Sequence, residues 1–196
     1  MNPDAPDKSF VGHFSARSFA VALLQILGFA GLTALCSKAQ FYLPFTVVPI
    51  TLQSFAVVLA GALLGPEKGA LSQMALIGSG MGGLPVFTPH GPGFLGFFGP
   101  TGGYILGFVL AAYVTGVLFQ RLRPRGFFST SVLLFIASLF IFIPGVLWLK
   151  VYTGNHLSAA LQQGFFPFIP GDILKSFMAA GVLMGLQKTK TLRRSE

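Results

Sequence analysis

Long apolar runs, broken by glycine and proline rather than by charge, set the pattern of this chain. Residues 69–120 contain no Asp, Glu, Lys or Arg, and neither do residues 127–149. A helix crossing the hydrocarbon core of a bilayer needs about 20 predominantly apolar residues, so the second run is one span and the first holds two. The full pattern predicts six helices, over 18–37, 51–64, 69–84, 102–120, 127–149 and 171–187. Strong breakers separate them: Pro44 and Pro49, the pair Gly65-Pro66, a Gly/Pro-rich stretch over 84–103, Pro124 with Gly126, and the stretch 167–171. The second and sixth helices are short for a full span. The expected fold is therefore an all-α integral membrane bundle. It divides into a short N-terminal segment (1–17), a six-helix transmembrane domain (18–187) and a basic tail (188–196).

Composition supports this and excludes much else. Charged residues make up 9% of the 196-residue chain, against about 25% in a typical globular protein, too few to cover a water-facing surface. Cys36 is the only cysteine, so no intramolecular disulfide framework exists. The polar N-terminus, with Asp4, Asp7, Lys8 and Arg17, leads into a span without a small-residue cleavage site and does not read as a cleaved signal. The net charge of +8 sits between the spans and is read as topology, not as a nucleic-acid surface. Lys8, Arg17, Lys68, Arg121, Arg123, Arg125, Lys188, Lys190, Arg193 and Arg194 fall on one side, against Lys38, Lys150 and Lys175 on the other. The positive-inside rule then places both termini in the cytoplasm.

Small residues recur at four-residue spacing in Ala30/Ala34, Gly61/Gly65, Gly78/Gly82, Gly103/Gly107 and Gly181/Gly185. That spacing lets helices approach closely in lipid. Asp172 is the one acid on the outer side, and Lys175 follows it by one turn. An ionisable residue at membrane depth marks a functional site by default. The stretch 167–172 reads as a broken, extended segment entering a helix N-terminus, where free N–H groups favour a carboxylate or an anionic ligand. Asp172 capping the helix and Lys175 reaching for the headgroups is an equally open reading. The Gly/Pro-rich loop over 84–103 must line a cavity or pack into protein, because lipid cannot satisfy its backbone. In it Thr101 is a candidate N-cap, Gly102 and Gly103 would admit a ligand close to the backbone, and Tyr104 offers a flat face with one polar group. His90 is a candidate contact, or simply solvated. The proline-stiffened loop 40–53, with Gln40, Pro44, Pro49 and Thr51, suits a lid. Gln53 can donate and accept at once, to a ligand or to a neighbouring helix. No catalytic triad, metal-ligand cluster or phosphate loop is visible, so neither enzymatic turnover nor ATP hydrolysis by this chain is expected, and no cofactor.

Five motifs occur in order: Pro49-Ile50-Thr51-Leu52-Gln53, Leu59-Ala60-Gly61-Ala62-Leu63-Leu64-Gly65-Pro66, Gly83-Leu84-Pro85-Val86-Phe87, Gly99-Pro100-Thr101-Gly102-Gly103-Tyr104 and Pro170-Gly171-Asp172-Ile173-Leu174-Lys175. From about 30 to 186 the chain resembles the BioY family, the biotin-specific substrate-binding (S) components of energy-coupling factor (ECF) vitamin transporters. The resemblance implies a six-helix S-component fold in a bacterial-type cell membrane. It implies capture of biotin from outside and delivery inward by toppling with a partner module of a coupling protein and two ABC ATPases. Asp172, Lys175, Gln53, Gly102, Gly103 and Tyr104 would form the pocket, and Ala30 and Ala34 would dock the coupling protein. An S-component for another vitamin, or a solitary biotin carrier, are the neighbouring readings. One departure stands out. Some members carry a cation directly after the Gly-Gly-Tyr motif and a small amide in the preceding loop, where this chain has Ile105 and Gly91. Another group must then meet the biotin carboxylate, and Lys38, Lys150 and Lys175 are the outer bases available.

Overall fold

The computed structural model describes residues 16–87 and 94–192, so His90 and Gly91 lie outside the described residues. The chain begins with α1 (Ala16–Cys36), then a small hairpin of β1 (Gln40–Phe41) and β2 (Ile50–Thr51), then α2 (Gln53–Leu64) and α3 (Pro66–Met81). A single turn, α4 (Phe94–Phe97), precedes α5 (Gly102–Leu122). Next come α6 (Phe127–Ser138), α7 (Phe142–Thr153), α8 (Leu157–Gly164) and α9 (Ile169–Leu192). With α6 and α7 forming one bent rod, six rods make the bundle.

The predicted helices are present, with three differences that have physical causes. The fifth rod is not one straight helix: a 3-10 turn over Leu139–Ile141 joins α6 to α7. Pro144 lies just beyond it, lacks the N–H for the Phe140 carbonyl, and crowds the preceding turn. The stretch before the sixth rod is helical, not extended. Residues Phe166–Phe168 form a 3-10 turn and α9 starts at Ile169, since proline in a first turn forfeits only an N–H that has no intrahelical partner. Nor is that rod short, at 24 residues. The α8 helix is the third difference; its apolar positions Leu157, Ala160, Leu161 and Gly164 fit one helical face. Four helical stretches are long and apolar enough to cross a bilayer: Ala16–Cys36, Gly102–Leu122, Phe127–Thr153 and Leu157–Lys188. By contrast α2 and α3, of 12 and 16 residues, reach only about 18 and 24 Å.

At the centre is α5, packed on α2, α3 and α7, while α1 lies on α3 and α6 pairs with α9. Glycine permits close crossings. A Cβ on Gly61 of α2 would meet the Ala112 carbonyl and the Thr115 side chain of α5. Gly65, at φ 83°, turns α2 directly into α3. Around the outside, Leu24 and Leu35 (both 71%), Phe128 (70%) and Val151 (82%) stand exposed. Water would not tolerate such a surface over every rod; lipid does. The chain is thus a multi-pass membrane protein.

The α1 pair expected to dock a partner faces inward. Ala30 is buried in the main core, with Ala34 packed against the same cluster. Leu24, Gly28, Gly31 and Leu35 form the open side of α1 instead, and a Cβ on Gly28 or Gly31 would meet nothing within 4 Å. The alanine spacing was real, but a repeat of four does not say toward which neighbour a face turns.

Candidate functional site: a pocket closed by a buried ion pair

The pocket forms at one end of the bundle, away from the turn at 121–125. It is lined by Val48, Pro49 and Thr51 of the hairpin, Gln53 and Ser54 of α2, and Phe87 beyond α3. Thr101, Tyr104, Ile105 and Phe108 come from the start of α5, Ile141 and Phe142 from the bend in the fifth rod, and Phe168, Asp172 and Lys175 from around the start of α9. As it stands the cavity holds about 50 Å³, below the roughly 300–1,000 Å³ of small-molecule sites, so a ligand enters only as its walls part.

The bends create this pocket. Because the fifth rod breaks at Leu139–Ile141, Ile141 and Phe142 reach inward beside Phe168 and Tyr104. Tyr104 stacks on Phe168 with centroids 6.2 Å apart, and Phe142 meets both edge-on at 6.1 and 5.9 Å. The Tyr104 hydroxyl donates to the Gly164 carbonyl at 2.8 Å, so α8 fixes the ring and the phenol is spent on the fold. Phe87 seals a further wall against α3 at Gly80, where a Cβ would collide with its ring.

One polar cluster stands in this aromatic setting. Lys175 Nζ donates to Asp172 Oδ1 at 2.6 Å and to Ser54 Oγ at 2.8 Å, and Ser54 Oγ donates to the same Asp172 Oδ1 at 3.0 Å. Asp172 is 2% exposed and Lys175 9%. Removing two charges from water costs several kcal/mol per ion, offset only when the geometry is good and remaining lone pairs are satisfied. Here Asp172 Oδ2 is buried and has no hydrogen-bond partner among the described residues. A carboxylate oxygen left bare inside an apolar wall is a strong, waiting acceptor. Beside it, Gln53 Oε1 accepts from Thr51 Oγ1 at 3.3 Å, which leaves its amide nitrogen without a partner among the described residues.

The structure gathers Asp172, Lys175, Gln53, Tyr104, Pro49 and Thr51 at one pocket. Gln40 and Pro44 are in the same hairpin loop but do not line it. Gly102 and Gly103 do not line it either: a Cβ on Gly103 would strike Trp148 and the Pro144 carbonyl, and one on Gly102 the Phe97 carbonyl and Trp148. These glycines make room for a helix crossing, not for a ligand. Thr101 stands at the N-cap position of α5 without a side-chain cap bond, and lines the pocket instead. Sequence reasoning missed Ser54, which bridges the ion pair, and Ile141, Phe142 and Phe168. Ser54 follows Gln53 directly, but its meeting with Asp172 joins residues far apart in the chain.

A six-rod membrane bundle with a half-closed aromatic pocket and one bare carboxylate oxygen defines a membrane-embedded small-molecule-binding protein. The BioY family model matches residues 8–191, and the chain belongs to that family. It is 30% identical to the biotin transporter BioY of Lactococcus lactis, over 87% of this chain and 88% of the relative. It is 35% identical to the Thermotoga maritima biotin transporter BioY, over 79% of this chain and 90% of the relative. A crystal structure of the S-component for biotin from an ECF-type ABC transporter superposes with a TM-score of 0.80. Its sequence is 25% identical, and the match covers 89% of this chain and 94% of that one.

Proposed function

We propose that this protein captures biotin at the pocket and carries it across a bacterial-type cell membrane as the S-component of an ECF transporter. Family membership supports the substrate, and the bare Asp172 Oδ2 is the observation that carries the site. Biotin offers two ureido N–H donors, one strong ureido acceptor, an apolar thioether ring and a carboxylate tail. Asp172 Oδ2 accepts from a ureido N–H, and Lys175, held by Asp172 and Ser54, donates its remaining N–H to the ureido oxygen. Gln53 adds an amide donor, and Phe142, Phe168, Tyr104 and Phe108 enclose the ring. The hairpin with Pro49 and Thr51 closes over it. Both termini lie in the cytoplasm and the pocket opens outward, in keeping with the basic residues at the opposite end of the rods. The ATP-driven step belongs to the partner module, whose coupling protein docks on the open face of α1 around Gly28 and Gly31.

Calorimetric titration of the ligand-stripped protein in detergent tests this reading. Biotin binds the parent tightly, and Asp172→Asn loses roughly 2–5 kcal/mol of binding, as when one partner of a buried charged contact is removed. Unchanged affinity in Asp172→Asn would remove Asp172 from the site.

A further inference from the structure

The pocket interior has no net charge to offer a ligand anion. Lys175 is committed to Asp172 and Ser54, and the pair is neutral as a unit. Ile105 is 4% exposed and forms an apolar wall of the pocket. Lys150 is exposed on α7 and does not line it. A carboxylate buried beside Ile105 or the phenylalanines would bear a large desolvation cost with nothing to offset it.

Lys38 is the remaining outer base, and it lies next to segments that carry pocket walls. It lies two residues past the end of α1, beside the hairpin: the next residue's carbonyl, Ala39 O, accepts the Leu52 amide at 3.1 Å, and Gln40 pairs with Thr51. Thr51 lines the pocket. Lys38 Nζ reaches across to the Pro85 carbonyl at 2.8 Å, two residues before Phe87, another wall. Lys38 does not line the pocket either, but unlike Lys150 it ties together the two segments that carry the walls Thr51 and Phe87, and it is solvent-exposed. It spends one of its three donors on Pro85 and has two left among the described residues. An exposed cation also pays little desolvation, unlike one placed deep in the bundle.

We infer that Lys38 is the counter-ion for the carboxylate end of the bound ligand, so that the ureido end enters toward Asp172 and the tail emerges toward Lys38. This rests on the biotin reading above. The ion pair would also brace the hairpin against the segment at Pro85 once ligand is bound, since one ammonium then holds both.

Titration of biotin and of its uncharged carboxamide, biotinamide, into the wild type, Lys38→Met and Lys38→Arg tests it. Lys38→Met weakens biotin about tenfold, the scale of one charge-assisted contact, and leaves biotinamide affinity where it is. Lys38→Arg keeps most of the biotin affinity. Equal weakening of both ligands in Lys38→Met would overturn the inference and make Lys38 only a tie between hairpin and loop; no weakening of either would overturn it as well. Unchanged biotinamide binding also shows that the variant is folded. Wild-type protein that binds neither ligand would instead overturn the biotin reading itself, and Lys38's role with it.

Discussion

A carboxylate and an ammonium, each almost fully enclosed, are held in register by one serine hydroxyl. Ser54 Oγ accepts from Lys175 and donates to Asp172 Oδ1, which turns an i,i+3 pair on one helix into a rigid triangle spanning two helices. The triangle holds Oδ1 and leaves Oδ2 unpartnered among the described residues, so Ser54 positions the acceptor without being its charge. Ser54→Ala is expected to cost roughly 1–2 kcal/mol of biotin binding, about tenfold, measured by the same titration, while Ser54→Thr retains most of it. Asp172 and Lys175 were legible in the sequence, because a lone acid beside a base between apolar spans stands out against the background. Ser54 was not. Serines are common in membrane helices and carry no periodic signal, and the contact that gives this one its role joins α2 to α9.

Helices were easier to read than their faces. The long apolar runs gave the rods, but the bend at Leu139–Ile141 and the α8 helix depend on finer causes, one proline and eight residues with a single apolar stripe. The small-residue pairs show the difference most clearly. Gly61 and Gly103 mark crossings inside the bundle, whereas Gly78 would accept a Cβ with nothing in contact, and Ala30 faces the core rather than a partner. Two substitutions on α1 separate these roles. Ala30→Leu overpacks the core and lowers the thermal midpoint in detergent, at a cost of about 1–3 kcal/mol. Gly31→Trp leaves the midpoint and biotin affinity unchanged but weakens co-purification with the coupling protein. Loss of the complex in neither variant would move the docking face off α1.

Across the whole molecule, charge sets the orientation and chain alternation sets the site. Arg17, Lys68, Arg121, Arg123 and Arg125 lie at the end of the rods opposite the pocket, and by the positive-inside rule this supports the proposed outward-facing pocket. A Cys36→Ser background carrying either Asn155→Cys or Arg123→Cys checks this in intact cells. An impermeant thiol reagent is expected to label the cysteine at 155 and spare the one at 123; the reverse pattern would invert the protein in the membrane. Inverted, the pocket would face the cytoplasm and capture from outside would be impossible.

The sequence by itself determined that this protein lives in a bilayer, how many rods it has and which residues carry charge at depth. Those properties follow from hydropathy, length and local spacing, which act along the chain. Only the tertiary structure decided which small residues are crossings, that Gly102 and Gly103 pack on Trp148 rather than line the pocket, and that Lys38 bonds Pro85 while Ile105 closes the wall. Each of those depends on which helix lies against which, and on where a bend points its side chains. Close packing over long sequence separations settles that, and a one-dimensional pattern does not encode it.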